Sequence, residues 1–195
     1  MEKQKIGLSS KLISSIENRW SGRSFSNQMI EESHLNALME AARWAPSCYN
    51  EQPWRFMIAK RGTDLYQSFY DTLSEGNQAW AGDAPILLLA LARKEFRHNG
   101  HENIHSWHDV GLAMGQLGMQ ATELGINLHQ MAGFDRARLT VKLSLPDSYE
   151  AVSITAVGYR DEADKLEGIW LEKEKAPQSR LERDQIIIEN INDLS

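Results

Sequence analysis

Nine consecutive residues, Ala84 to Ala92 (APILLLALA), carry no polar side chain. A bilayer needs about 20 such residues, so the run is too short to cross one. From Pro85 to Leu91 it has the pattern of a strand buried on both faces. Such a strand must be covered from two sides, and the remaining segments have to supply the cover. Leu35, Leu38, Met39 and Ala42 recur at helical spacing between Glu31 and Trp44, and Pro46 stops that helix. Phe56 to Ala59 and Ile126 to Met131 read as further strands. Tyr149 to Tyr159 alternates Ala151, Ser153 and Thr155 against Val152, Ile154 and Ala156, the period of a strand. Strands interleaved with helices define an α+β chain.

Trp107 to Leu124 is the most regular helical stretch, with Gly125 placed to close it. Within it Gly111, Gly115 and Gly118 each cost about 1 kcal/mol of helix propensity relative to alanine. Close approach of another packed element offsets that cost, whether from the chain's own core or from a second copy. Shorter helices are expected at Leu8 to Asn18 (Leu12, Ile13 and Ile16 on one side, Ser9 or Ser10 as cap) and after Thr63 or Asp64, carrying Leu65, Phe69 and Leu73. Asp135 is placed to cap a helix running to 144. Asp161 to Lys175 is charged and expected to face solvent, and Gln185 to Ile191 is a short apolar segment.

The length of 195 residues suits one domain. A net charge of -6 argues against nucleic acid as a partner, which needs a basic face, yet leaves room for a phosphate held by a few local cations. A single cysteine fits a reducing compartment, and the first residues show no signal-peptide pattern, so the expectation is a cytoplasmic protein. Gly-x-Ser-x-Gly does not occur; His101-Glu102-Asn103-Ile104-His105 spells His-Glu-x-x-His, which carries zinc chemistry only where both histidines share one face of a helix.

The densest polar stretch joins the first long helix to the first strand: Pro46, Ser47, Cys48, Tyr49, Asn50, Glu51 and Gln52, ahead of Pro53 and Trp54. A loop held between two packed elements is a common seat of binding chemistry. Arg19, Ser21 and Arg23 surround Gly22, two guanidinium groups and a hydroxyl suited to phosphate or polyol oxygens. Asn77 reads as a loop amide. His101, His105 and His108 have i, i+4, i+7 spacing, but Asn99-Gly100 interrupts helical continuity ahead of them. The segment from His98 to His108 is therefore read as a polar lid or helix start, with no metal assigned.

Four segments in order resemble the nitroreductase family of flavin enzymes. They are Arg19-Trp20-Ser21-Gly22-Arg23, Ala45 to Trp54, Gly133-Phe134-Asp135, and Gln178-Ser179-Arg180-Leu181. The resemblance implies a nitroreductase-like fold, a mixed and mainly antiparallel sheet flanked by helices, in an intertwined homodimer. It implies FMN as cofactor, NAD(P)H as electron donor, and a nitroaromatic, quinone or similar small acceptor reduced in a ping-pong cycle. Arg19, Ser21 and Arg180 would meet the phosphate and ribityl chain, and Arg23 the N1/C2-carbonyl side of the ring. Asn77 would bond the pyrimidine edge, and the backbone N–H groups of Ala132 and Gly133 would face N5 and the C4 carbonyl. Pro46, Ser47, Cys48 and Asn50 would lie along the flavin, with Tyr49 shaping the substrate pocket. Ala132 departs from the acidic residue of many relatives, and Gln178 from the lysine of some. The flavin carries the chemistry, so no catalytic acid or base is assigned. Residues 1–195 form one domain, in which 176–195 would be an arm reaching the partner. A flavin-binding sensor or storage protein is the alternative reading.

Overall fold

In the computed structural model, Lys5 and residues 10–191 are described. Among them the elements follow one another as α1 (Ser14–Glu17), α2 (Glu32–Arg43), β1 (Trp54–Lys60), α3 (Asp64–Tyr70), α4 (Glu75–Ala81), β2 (Ile86–Arg93), α5 (Ser106–Glu123), β3 (Ile126–Met131), α6 (Arg136–Leu143), β4 (Tyr149–Tyr159) and α7 (Gly168–Lys175). The strands form one sheet in the order β1-β2-β4-β3. All three strand pairings are antiparallel, and the isolated bridge from Lys5 to Gln178 is parallel.

The apolar run is β2, paired on both edges and buried on both faces. Its alternation sorts the molecule into layers. Leu87, Leu89 and Leu91 point into a core with Phe69 of α3, Trp80 of α4 and Leu139 of α6. Ile86, Leu88, Ala90 and Ala92 point the other way, onto Leu38 and Ala42 of α2 and Val110, Ala113 and Leu117 of α5. Each buried leucine contributes about 1.5–3 kcal/mol relative to an exposed one, so the two faces of this strand are a large share of what holds the fold. Turn chemistry fixes the element ends. The Thr63 side chain accepts from the Tyr66 N–H, Asp135 accepts from the Arg138 N–H at 2.9 Å, and Gly125 takes φ 69° just past α5. Among the described residues no helix is long and apolar enough to cross a membrane.

Several sequence expectations change. Of the helix expected over 8–18, only Ser14–Glu17 is helical among the described residues. Its N-cap residue, Ile13, makes no side-chain bond, and Leu8 and Ser9 lie outside the described residues. Asn77 sits in α4, not in a loop, because Ser74 begins a helical turn that accepts the Asn77 and Gln78 N–H groups. The segment from Asp161 to Lys175 is not wholly exposed, since Leu166 and Glu174 are buried. Beyond α7, Arg183–Gln185 forms a single 3-10 turn, and Leu181, Ile186, Ile187 and Ile188 stand exposed.

Gly158 on β4 sits where a side chain would collide with its neighbours. A Cβ there would lie 2.6 Å from Pro85 Cδ and 3.0 Å from Phe25 Cδ1, both atoms of rigid rings. Gly158→Ala is expected to destabilise the fold by about 1–3 kcal/mol. The expected readout is a lower urea midpoint at unchanged m-value; an unchanged midpoint would mean that the two rings yield freely.

Candidate functional site

After α1 the chain runs from Arg19 to Ser24 against β3, gripped through its backbone. Gly22 N–H donates to Asn127 Oδ1 at 3.2 Å, and Arg23 N–H donates to Glu174 Oε2 at 2.8 Å. His129 Nδ1 lies 3.1 Å from the Ser21 carbonyl and 3.2 Å from that of Gly22. Both partners are acceptors, so Nδ1 carries the proton and donates. Only glycine fits at position 22, where a Cβ would stand 2.8 Å from Asn127 Nδ2. The chain after α7 returns to this segment, and a cavity of about 260 Å³ opens between them, lined by Arg19, Ser21, Arg23, Lys173, Gln178 and Arg180. Residues 160 positions apart in sequence thus face one space. Burial, and then the charge of Arg180, push the Arg19 guanidinium below its usual pKa. Half-buried Arg19 and exposed Arg180, like charges on one open cavity, suit an anion.

A second cluster adjoins the first. The Arg23 guanidinium lies 5.9 Å from the Trp80 ring centroid and 5.7 Å from that of Trp170. Its buried Nε has no hydrogen-bond partner. Trp80 packs on His129 with centroids 4.4 Å apart, and Trp170 lies over Gly76. Next to Gly76, Asn77 Nδ2 donates to the Gly133 carbonyl at 3.0 Å. That carbonyl also accepts the Ser74 N–H at 2.9 Å, and a Cβ on Gly133 would stand 2.9 Å from Ser74 Oγ. Ala132 and Gly133 themselves are exposed. A continuous path therefore joins Arg180 to Gly133 through Arg23, Trp170 and α4.

The loop from Pro46 to Asn50 is elsewhere. It precedes β1, on the opposite edge of the sheet from β3, three strand spacings or about 14 Å away. Cys48 N–H donates to Asp109 Oδ2 at 3.0 Å, in the first turn of α5, whereas Arg19 lies against Gly118, near the other end. Tyr49, Asn50 and Gln52 have φ of 51°, 56° and 48°, a left-handed run of non-glycine residues costing about 1–3 kcal/mol each. Bonds inside the loop hold it. Ser47 Oγ accepts the Gln52 N–H at 2.9 Å, and Gln52 Nε2 donates to the Asn50 carbonyl and Oδ1. Buried Glu51 reaches outward, accepting the Arg97 N–H at 2.9 Å and meeting His98 Nδ1 at 2.6 Å. His98 first, then the Arg97 N–H, hold its carboxyl down at about 2. The exposed Tyr49 ring meets Phe96 edge-on and His98 at a tilt. The histidine segment is thus a roof on this loop as far as His105 and a helix start beyond it, with His108 inside α5. Gly100 turns it at φ 72°, His105 caps α5, and His108 bonds Asp109. Among the described residues no group of three or more His, Cys, Asp or Glu could hold a metal.

One chain therefore brings together Arg19, Ser21, Arg23 and Arg180, joins Asn77, Ala132 and Gly133 to them, and leaves Pro46, Ser47, Cys48, Tyr49 and Asn50 apart. Sequence reasoning missed Trp80, His129, Trp170 and Glu174. A histidine in a strand and a glutamate in a charged helix carry no local signal, and only the alternation along β3 could have placed His129 beside Asn127.

The family model described as Nitroreductase family matches residues 16–75 and 64–159. A solved structure described as an oxidoreductase containing FMN is 30% identical, with a TM-score of 0.86 over 93% of this chain and 92% of that one. A nitroreductase family protein from Streptococcus pneumoniae shares the fold at 20% identity and a TM-score of 0.73, covering 92% of this chain and 100% of that one. A Streptomyces coelicolor protein with the provisional name NADH dehydrogenase/NAD(P)H nitroreductase is 24% identical over 156 residues, 70% of this chain and 76% of its own.

Burial first, then the charges of Arg23 and Arg19, lower the pKa of His129 from 6.5 to about 4. In the folded protein the ring is neutral where the unfolded chain would begin to protonate. Its stabilisation is thus complete above pH 6.5 and is lost as pH falls from there through 4, about 3 kcal/mol in all. Urea unfolding from pH 7.5 to 4.5 is expected to show that loss, and His129→Gln to remove this part of the pH dependence. A variant with the full wild-type slope would show that His129 is not its source.

Proposed function

The chain belongs to the nitroreductase family, and from that premise we propose that it is an FMN-dependent NAD(P)H oxidoreductase. The observation that carries this reading is the convergence of Arg19, Ser21, Arg23 and Arg180 on one cavity, with the Arg19 pKa lowered by burial and then by its cationic neighbour. Bound FMN would supply the two-electron chemistry, taking hydride from NAD(P)H and passing it to a nitroaromatic, quinone or similar acceptor in a ping-pong cycle. The residues present fit that cofactor. Arg19, Arg180 and the Ser21 hydroxyl answer a phosphate, whose charge would relieve the repulsion between the two arginines. Arg23, fixed between two indoles with its Nε unpartnered, supplies positive charge that favours the more negative, reduced form. Asn77 and the exposed turn at Ala132 and Gly133 offer amide groups to a heterocycle edge. The lone Cys48 suits a reducing compartment, and we place the enzyme in the cytoplasm.

The working form in this reading is a homodimer with each flavin site shared. Gly111 and Gly115 support it, because an added Cβ at either would meet nothing within 4 Å among the described residues. The helix-propensity cost of these glycines thus has no offset from the described residues of one protomer. Neighbouring Trp107 and Leu112 are exposed as well. Two copies of α5 crossing antiparallel about a two-fold axis would bring the Asp109 end of one to the Gly118 end of the other. Pro46, Ser47, Cys48, Tyr49 and Asn50 of one protomer would then complete the cavity of its partner. The exposed isoleucines after α7 suit a C-terminal arm laid on the second copy.

Extraction of the purified protein's chromophore is expected to yield FMN; recovery of FAD, or no binding on reconstitution, overturns the reading. Arg19→Ala is expected to weaken FMN affinity about 10–100-fold. Arg23→Ala is expected to lower the flavin midpoint potential more than the affinity, and identical profiles for the two would refute the division of roles.

Shared sites are tested by pairing Arg19→Glu in one chain with Ser47→Trp in another. Each homodimer should be inactive. The doubly tagged heterodimer concentrates both lesions in one site and should recover about half the wild-type activity, as expected for isologous symmetry. A folded but inactive heterodimer would place each site within one chain.

A further inference from the structure

Helix α7 is charged along its length, and Glu172, Lys173 and Lys175 are exposed. Glu174, between them, is only 5% exposed. Its carboxylate accepts the Arg23 N–H at 2.8 Å and lies 3.5 Å from the Ser24 nitrogen. A Cβ on Gly22 would stand 3.1 Å from Oε1, so the carboxylate also rests against the glycine backbone. Opposite it, Asn127 takes the Gly22 N–H. The N–H groups of three successive residues are thereby directed at acceptors from β3 and α7. Burying a carboxylate costs several kcal/mol unless its charge is met, and here backbone N–H groups and the nearby charges of Arg23 and Arg160 meet it.

We propose that Glu174 is a positioning residue for the cationic cradle. By fixing the backbone of Arg23 and Ser24 it holds the Arg23 side chain between Trp80 and Trp170, in the cavity shared with Arg19 and Arg180. It acts through reach rather than charge. Its load is a backbone segment whose side chains meet the ligand, and the carboxylate itself does not line the cavity. The ligand named here, FMN, rests on the family reading above.

Reach and charge are separated by two conservative variants. Glu174→Asp keeps the charge but withdraws the carboxylate by one methylene, whereas Glu174→Gln keeps the reach and one oxygen acceptor while losing the charge. Leu171→Ala is the control, since Leu171 packs α7 on the core and lines no part of the cavity. Two readouts are taken: FMN dissociation constants, and amide hydrogen exchange at Arg23 and Ser24 in cofactor-free protein. Glu174→Asp is expected to weaken FMN about tenfold or more, as for loss of a hydrogen bond to a charged group, and to speed exchange at both amides. Glu174→Gln is expected to stay within about threefold of wild type in both. Leu171→Ala should lower stability yet bind FMN like wild type.

The proposal is overturned if Glu174→Asp matches wild type, if Glu174→Gln is the weaker binder, or if Leu171→Ala reproduces the binding loss. Should wild-type protein bind no FMN, the flavin reading fails, and exchange at Arg23 and Ser24 alone decides whether Glu174 holds this segment.

Discussion

A strand with no polar side chain on either face has to be covered twice, and this constraint organises the molecule. β2 lies inside the sheet, with α3, α4 and α6 on one side and α2 and α5 on the other. Full cover leaves the sheet's middle no surface on which to carry chemistry. The polar and charged groups with functional character collect at the two edges, where β3 receives the arginine segment and β1 the loop from Pro46 to Gln52. The site is displaced to the margins by the same burial that stabilises the centre.

At the β3 edge the electrostatics are deliberately unbalanced. Arg19 faces Arg180, and burial weakens the solvent screening that would otherwise mute their repulsion. His129, directly behind them, stays neutral, so it adds no further positive charge while its Nδ1–H ties down two carbonyls. Glu174 supplies a buried negative charge at this edge, directed at backbone N–H groups below the cavity and near Arg23 and Arg160. Positive charge remains on the open side, which is the side an anionic ligand would approach.

At the β1 edge the stored quantity is conformational. Three left-handed non-glycine residues persist because Ser47, Glu51 and Asp109 over-determine the loop. Tyr49 is left projecting, mostly exposed, against the roof formed by Phe96 and His98. An exposed aromatic ring on a strained, well-anchored loop is an incomplete surface in one chain. The glycines on the open side of α5 are a second such feature. In the proposed homodimer another copy of the chain would lie against both.

Local physics was enough for much of this. Alternation marked β4 from Tyr149 to Tyr159, helical periodicity marked α5 to within a residue, and Thr63 and Asp135 cap the helices they were expected to cap. Those features depend on neighbours within a few positions, which a sequence displays directly. The cationic residues were singled out only through the resemblance to the family, because by composition alone Arg19-Trp20-Ser21-Gly22-Arg23 reads as a solvated basic turn. What tertiary structure decided is which of them share a space. Trp80, His129, Trp170 and Glu174 act on Arg23 across separations of 57 to 151 positions, by ring stacking and backbone hydrogen bonds that leave no periodic trace. The same holds for Asn77, whose partner Gly133 is 56 positions away. Sequence determined the layers and the chemical kinds present; only the order of strands in the sheet, which sets β3 and β1 at opposite edges, decided that one chain holds the arginine segment and the loop from Pro46 to Asn50 apart.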